Sequence, residues 1–340
     1  KIDAGSGISV SGALDTRYLD AEISVTAGDI VTRANYGRGI SVGQFFGSTD
    51  VAFNSIRTEG SGATGVRLES GFEPYFYTFT TAEITGGSIE TVGDYSDGMN
   101  LVSLVGSHRV EVGSITTSGA RSNGVVSKSV IGANLVIGSV ETAGDYSVGI
   151  QAEGAAVPAS VPLDGFEVEG ITIEAGDVTT IGDSAQGIVA TGVGPVTIKV
   201  NSVETTGDSY VFEPGDYYGG GGGPIGPGLP LPNGSGYYGG GSGEAPAGPA
   251  SIGIEVAASF GDIVVEAGSV TTSGEGAHGL WIDLQGDEWS VADQQVTVGS
   301  VQTSGAGADA LRLRNQTGGS IAATVAGDVL AQDGAGMNLI

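Results

Sequence analysis

Residues 138–150 read Gly138-Ser139-Val140-Glu141-Thr142-Ala143-Gly144-Asp145-Tyr146-Ser147-Val148-Gly149-Ile150: a glycine, an aliphatic, a threonine, then a polar turn. The same order returns as GSIETVGDYSDGM at 87–99, GDVTTIGDSAQGI at 176–188 and GSVTTSGEGAHGL at 268–280. Taking the opening glycine or asparagine as an anchor gives a column at Gly28, Asn54, Gly87, Gly113, Gly138, Gly176, Asn201, Gly268, Gly299 and Gly327. Two places on stands an aliphatic in every unit, from Ile30 to Val329, and four places on a threonine in all but the last, where Ala331 replaces it. Columns this regular in a self-similar chain are the sign of a solenoid, in which equivalent positions of successive coils lie above one another.

The apolar period is two, so the coils are built of strands. Before the anchor the apolar places are three and one back, as in Val110 and Val112 or Leu135 and Ile137; after it they are two and four on. That slip turns every side chain over, which a straight strand cannot do, so a corner is expected at the anchor, with glycine supplying an unusual backbone conformation. The Gly-Asp-Tyr-Ser segment gives a second corner, and pairs such as Met99/Leu101 and Leu280/Ile282 a third strand. The expected fold is all-β: a right-handed parallel β-helix of about ten three-strand coils, roughly 50 Å long at a strand spacing of ~4.8 Å. The whole of 1–340 reads as one solenoid, a fragment of a longer chain, with a Gly/Pro/Tyr-rich loop at 212–250 inserted within one coil. Glycine and proline at that density cannot build a packed core.

Composition narrows the partners. With 39 acidic and 12 basic residues the net charge is −27, which repels nucleic acid and anionic membrane surfaces. No run is long and apolar enough for a spanning helix. The chain has no cysteine, hence no disulfide framework and no thiolate chemistry.

Four candidate sites follow. The threonine column invites an ice-binding reading, but it shares parity with the buried aliphatics and is expected to face inward and hydrogen-bond along the stack. Asp145, Asp183 and Asp208 occupy one turn position in three successive units, where carboxylates can share Ca2+ or simply accept their own turns' N–H groups. Catalysis finds little: Gly182-Asp183-Ser184-Ala185 lacks a glycine after its serine, His108 and His278 fall in different units, and Asp283, Asp287 and Glu288 read as an acidic loop with no nearby cation. Aromatics concentrate in insertions after the third strand, where Phe72, Tyr75, Phe76 and Tyr77 are candidates for partner contact, as are Tyr217, Tyr218, Tyr237 and Tyr238 in the long loop.

The recurring G-[SD]-[VI]-x-T-x-G-x(4)-G-[IVLM] pattern resembles the β-helical passenger domains of Gram-negative autotransporters and related large surface adhesins. That resemblance, of architecture and composition, implies secretion through the outer membrane and display at the cell surface. The reading is therefore a non-enzymatic extracellular structural or adhesive protein without a required cofactor, binding surface glycans, proteins or sister copies end to end or laterally. The alternatives are a carbohydrate-active β-helix enzyme and a repeating subunit of a filament or surface layer.

Overall fold

The structure is a computed structural model and describes residues 7–11, 22–44, 47–70, 80–103, 106–154, 169–208, 251–286 and 291–340. The described residues form two parallel sheets of eleven strands each, with no helix. One sheet holds long strands such as Ser48–Thr58, Gly106–Ser118, Gly132–Ala143 and Ile263–Ser273; the other holds short ones such as Ile40–Gln44, Met99–Ser103, Val125–Ser129 and Leu311–Asn315. The chain alternates between them, and each strand pairs with its equivalents one turn of chain before and after. This is the parallel β-solenoid expected from the columns, with ten coils following a first short strand at Ile8–Ser11.

The anchor corner differs from expectation in two respects. The chain before and after the anchor is one bent strand, and it separates into Ile321–Val325 and Val329–Asp333 only in the last coil. Pairing runs through the bend with the anchor skipped: Ile137 meets Ala175, Ser139 meets Asp177, and Gly138 drops out of register. Nor does Gly138 adopt positive φ. Its requirement is space, because a Cβ there would stand 2.3 Å from the carbonyl oxygen of Gly113 in the preceding coil. Stacked backbones approach too closely at this corner for a side chain to pass between them.

Inward positions form a single core. In the aliphatic column Ile56, Ile89, Ile115, Val140, Val178, Val203, Val270 and Val301 are buried, as are Leu135 and Ile137 before the anchor and Met99, Leu101, Leu280 and Ile282 on the short strands. Ile30 and Val329, at the two ends of that column, are only half-buried; among the described residues their strands pair on one side only. The threonine column faces inward throughout, from Thr32 to Thr303. Its hydrogen bonds, however, do not run mainly along the stack: Thr117 Oγ1 donates 2.8 Å to the carbonyl of Ser122, and Thr272 Oγ1 3.0 Å to that of Ala277. Each such hydroxyl closes its own coil's turn five residues on.

Candidate functional site

Among the described residues, the turn between the long and short strands carries polar side chains that bond from coil to coil. It begins with a glycine such as Gly182, whose φ of 143° only glycine adopts readily. Next comes Asp94, Asp145, Asp183 or Asp208, with Asn35 in the same column. Asp145 Oδ1 accepts the N–H of Asp183 at 3.0 Å, Asp183 Oδ1 that of Asp208 at 3.1 Å, and Asp208 Oδ1 that of Glu275 at 2.9 Å. Asp94 takes the N–H of Ala120 in the same way, and Asn35 that of Ser61. The stacking expected of Asp145, Asp183 and Asp208 is present, but the donors belong to the next coil rather than to each residue's own turn. Among the described residues no group of three or more carboxylates or imidazoles is placed to hold a metal ion.

One place further on lies a feature the sequence reading missed. Tyr36, Tyr95, Arg121, Tyr146 and Ser184 all have φ between 55° and 60°, and Gly62, Gly276 and Gly307 fill the same column at 67° to 71°. Tyr36 is 78% exposed and Tyr95 55%. Arg121 Nη1 donates 2.7 Å to the Tyr95 hydroxyl, and the guanidinium carbon lies 5.2 Å from the centre of the Tyr146 ring. After this position comes a buried one, serine or alanine in most coils, in which Ser122 Oγ accepts the N–H of Ser96 at 2.9 Å and Ser147 Oγ that of Ser122 at 3.1 Å. Then follows a second inter-coil ladder: Asp97 Oδ1 accepts the N–H of Asn123 at 2.9 Å, Asn123 Oδ1 that of Val148 at 2.8 Å, and His278 Nδ1 that of Asp309 at 3.0 Å. The signal for this ladder was legible as the polar residue before several of the Gly-aliphatic pairs: Asp97-Gly98-Met99, Asn123-Gly124-Val125, His278-Gly279-Leu280.

The outer face of the short strands corrects the reading of the acidic loop. Asp283 lies within the strand His278–Leu284, is buried, and stands 3.9 Å from Arg314 Nη1 on the next coil. Beside it runs the row Glu255, Trp281, Arg312. The Arg312 guanidinium lies 4.4 Å from the Trp281 ring centre, and the His278 ring meets Trp281 edge-on at 5.4 Å. Glu255 is held by Gln186 Nε2 at 2.8 Å, and desolvation pushes its carboxyl above the ordinary range. Desolvation does the same to Asp97 and lowers His278. Asp287 and Glu288 lie outside the described residues, as do the contact candidates Phe72, Tyr75, Phe76, Tyr77, Tyr217, Tyr218, Tyr237 and Tyr238.

Both histidines have structural surroundings. His108 sits inside the core, its Nδ1 2.8 Å from Ser127 Oγ and its Nε2 2.9 Å from Ser103 Oγ, and burial lowers its pKa to about 4. Ser184 occupies the left-handed column of the turn and donates its N–H to the Asp208 carbonyl at 2.8 Å, so the Gly-Asp-Ser segment is one more turn of the repeat. Among the described residues no helix is long and apolar enough to cross a membrane. No family model, curated protein or solved structure matches the chain.

Proposed function

We propose that this chain is a non-enzymatic structural and adhesive rod displayed outside a Gram-negative cell, in the manner of the autotransporter passengers that its repeat resembles. The observation that carries the reading is the use made of the ordered polar side chains. Asn35, Asp94, Asp145, Asp183 and Asp208 each bind the following coil, and the hydroxyls of Thr32, Thr58, Thr91, Thr117, Thr272 and Thr303 close turns inside the core. Polar groups committed in this way stiffen a rod and leave its repeated outer surface for contact with glycans, proteins or sister copies. Calcium bridging of the exposed aspartates would strengthen such a rod without being needed to form it. The test is attachment of chain-coated beads to cell and polysaccharide surfaces, assayed beside release of reducing ends from soluble polysaccharides. Attachment without release is expected; absence of attachment contradicts the reading.

A second reading has one specific observation in its favour. Glu255 and Asp283 are two desolvated acids on adjacent strands of one outer face, with Trp281, Arg312 and Arg314 around them. Glycoside cleavage requires paired carboxyl groups of this kind. Release of reducing ends by the native chain, abolished in Glu255→Gln, would replace the adhesive reading with an enzymatic one.

A further inference from the structure

We propose that the left-handed turn column formed by Tyr36, Tyr95 and Tyr146 is a binding strip for a neutral, extended polysaccharide, an assignment that rests on the adhesive reading and names its ligand. The first ground is conformational. Non-glycine residues at φ near 60° carry a backbone penalty, and Gly62, Gly276 and Gly307 show that this turn accepts the residue without one. Tyr36 and Tyr95 nevertheless hold large, mostly exposed rings at this strained position, although the glycines show that the turn itself does not require an aromatic there.

Spacing is the second ground. Tyr36, Tyr95 and Tyr146 stand on alternate coils, with Gly62 and Arg121 on the coils between. At ~4.8 Å per coil they recur every ~9.6 Å along the rod and span about 19 Å. That interval is close to one disaccharide of a flat, extended, β-linked polysaccharide, so every second sugar would meet a ring. Tyrosine offers an apolar face to the C–H surface of a sugar and a hydroxyl at its edge.

Charge is the third. Each tyrosine follows an exposed Asn35, Asp94 or Asp145 whose Oδ1 is taken by the next coil, which leaves Oδ2 of the two aspartates to accept from a sugar hydroxyl and Nδ2 of Asn35 to donate to one. Arg121, the one cation inside the strip, is already engaged by Tyr95 and Tyr146. With −27 on the whole chain, an anionic polysaccharide is repelled and a neutral one is not.

Titration calorimetry of the whole chain with cellohexaose and with chitohexaose tests the assignment, with polygalacturonate and hexalysine as charged controls. The native chain is expected to bind at least one neutral hexasaccharide. Tyr95→Gly/Tyr146→Gly is expected to weaken that binding about tenfold or more with little change in melting temperature, since relief of the positive-φ penalty offsets the lost Arg121 contacts. Tyr95→Phe, which keeps the ring, is expected to retain it. Three results would overturn the strip: no binding of either neutral sugar, equal binding by the double glycine variant, or hexalysine binding that the same variant abolishes, which would assign the strip to a cationic partner. Bead attachment that persists after any of these would leave the adhesive reading standing without this ligand.

Discussion

Thr142 and Thr117 occupy the same inward column, yet their hydroxyls differ. Thr117 Oγ1 donates to the Ser122 carbonyl, whereas the Oγ1 atoms of Thr142, Thr180 and Thr205 are buried without a partner. Thr117→Val should therefore cost about 1 kcal/mol, while Thr142→Val should be neutral or stabilising, because it removes a desolvated hydroxyl that nothing satisfies. Thr142→Lys should cost several times more by burying a charge. Chemical denaturation of the three variants measures the differences. His108 gives the residue scale its pH dependence. Its pKa is about 4 in the folded chain against an ordinary 6.5, so between those values the unfolded chain binds the proton and the folded chain does not. The contribution is present above pH 6.5 and lost as pH falls toward 4, by about 3 kcal/mol. Asp97 and Glu255, with raised pKa values, act in the opposite sense, since their cost to the fold grows as pH rises toward their folded values. Comparing native chain and His108→Asn across that window isolates the histidine, and parallel stability curves would contradict its buried neutral state.

At the scale of the turn, the aspartate ladder was visible as a column and misread as a bond pattern. Spacing shows that Asp145, Asp183 and Asp208 are equivalent, but whether a carboxylate takes its own turn's N–H or the next coil's depends on how coils are offset, which no single repeat contains. The left-handed column was hidden for a related reason. Tyrosine and arginine carry no signal for positive φ, so only the glycines at 62, 276 and 307 hinted at it. The anchor glycine was found correctly and explained wrongly, since the constraint at Gly138 comes from the Gly113 carbonyl of another coil and not from its own φ. Strand parity, by contrast, is a local property, and every inward column read from it lies in the core. The ladder itself predicts that Asp145→Asn, which keeps an acceptor, leaves stability unchanged or raises it by relieving negative charge. Asp145→Ala should lower it by about 1 kcal/mol through the lost bond to Asp183 N–H. Thermal melts of the pair decide; equal loss in both would show that the charge, and not the hydrogen bond, matters.

For the whole molecule, the long insertion tests how far the stack is self-sufficient. Val196–Thr206 pairs on both sides in the long-strand sheet, and Ile252–Ala258 does so in the short-strand sheet, so the coil is complete apart from its turn. Ser251 Oγ lies 3.5 Å from the Asp208 carbonyl, and Ser251 stands in the buried serine and alanine column. Residues 209–250, outside the described residues, therefore stand in the sequence where an ordinary turn has its single left-handed residue. Joining Asp208 to Ser251 through one glycine should leave the melting temperature unchanged or slightly raised, because closing the longer loop is the entropically dearer arrangement. A large fall in melting temperature would mean that the insertion supports the stack.

The central claim is that the chain climbs one strand spacing per coil whatever the length of chain between coils. Glu90, Glu204 and Gln302 are outward residues of one column, with Glu90 four coils from Glu204 and six from Gln302. Pulsed electron–electron spin resonance on the double-cysteine, spin-labelled pairs Glu90/Glu204 and Glu90/Gln302 measures the climb in a chain that has no native cysteine to interfere. Narrow distributions centred near about 19 Å and about 29 Å, broadened by the label linkers, are predicted from the ~4.8 Å spacing. Broad distributions, or a second distance that does not exceed the first by about two strand spacings, would contradict the solenoid and every site built upon it.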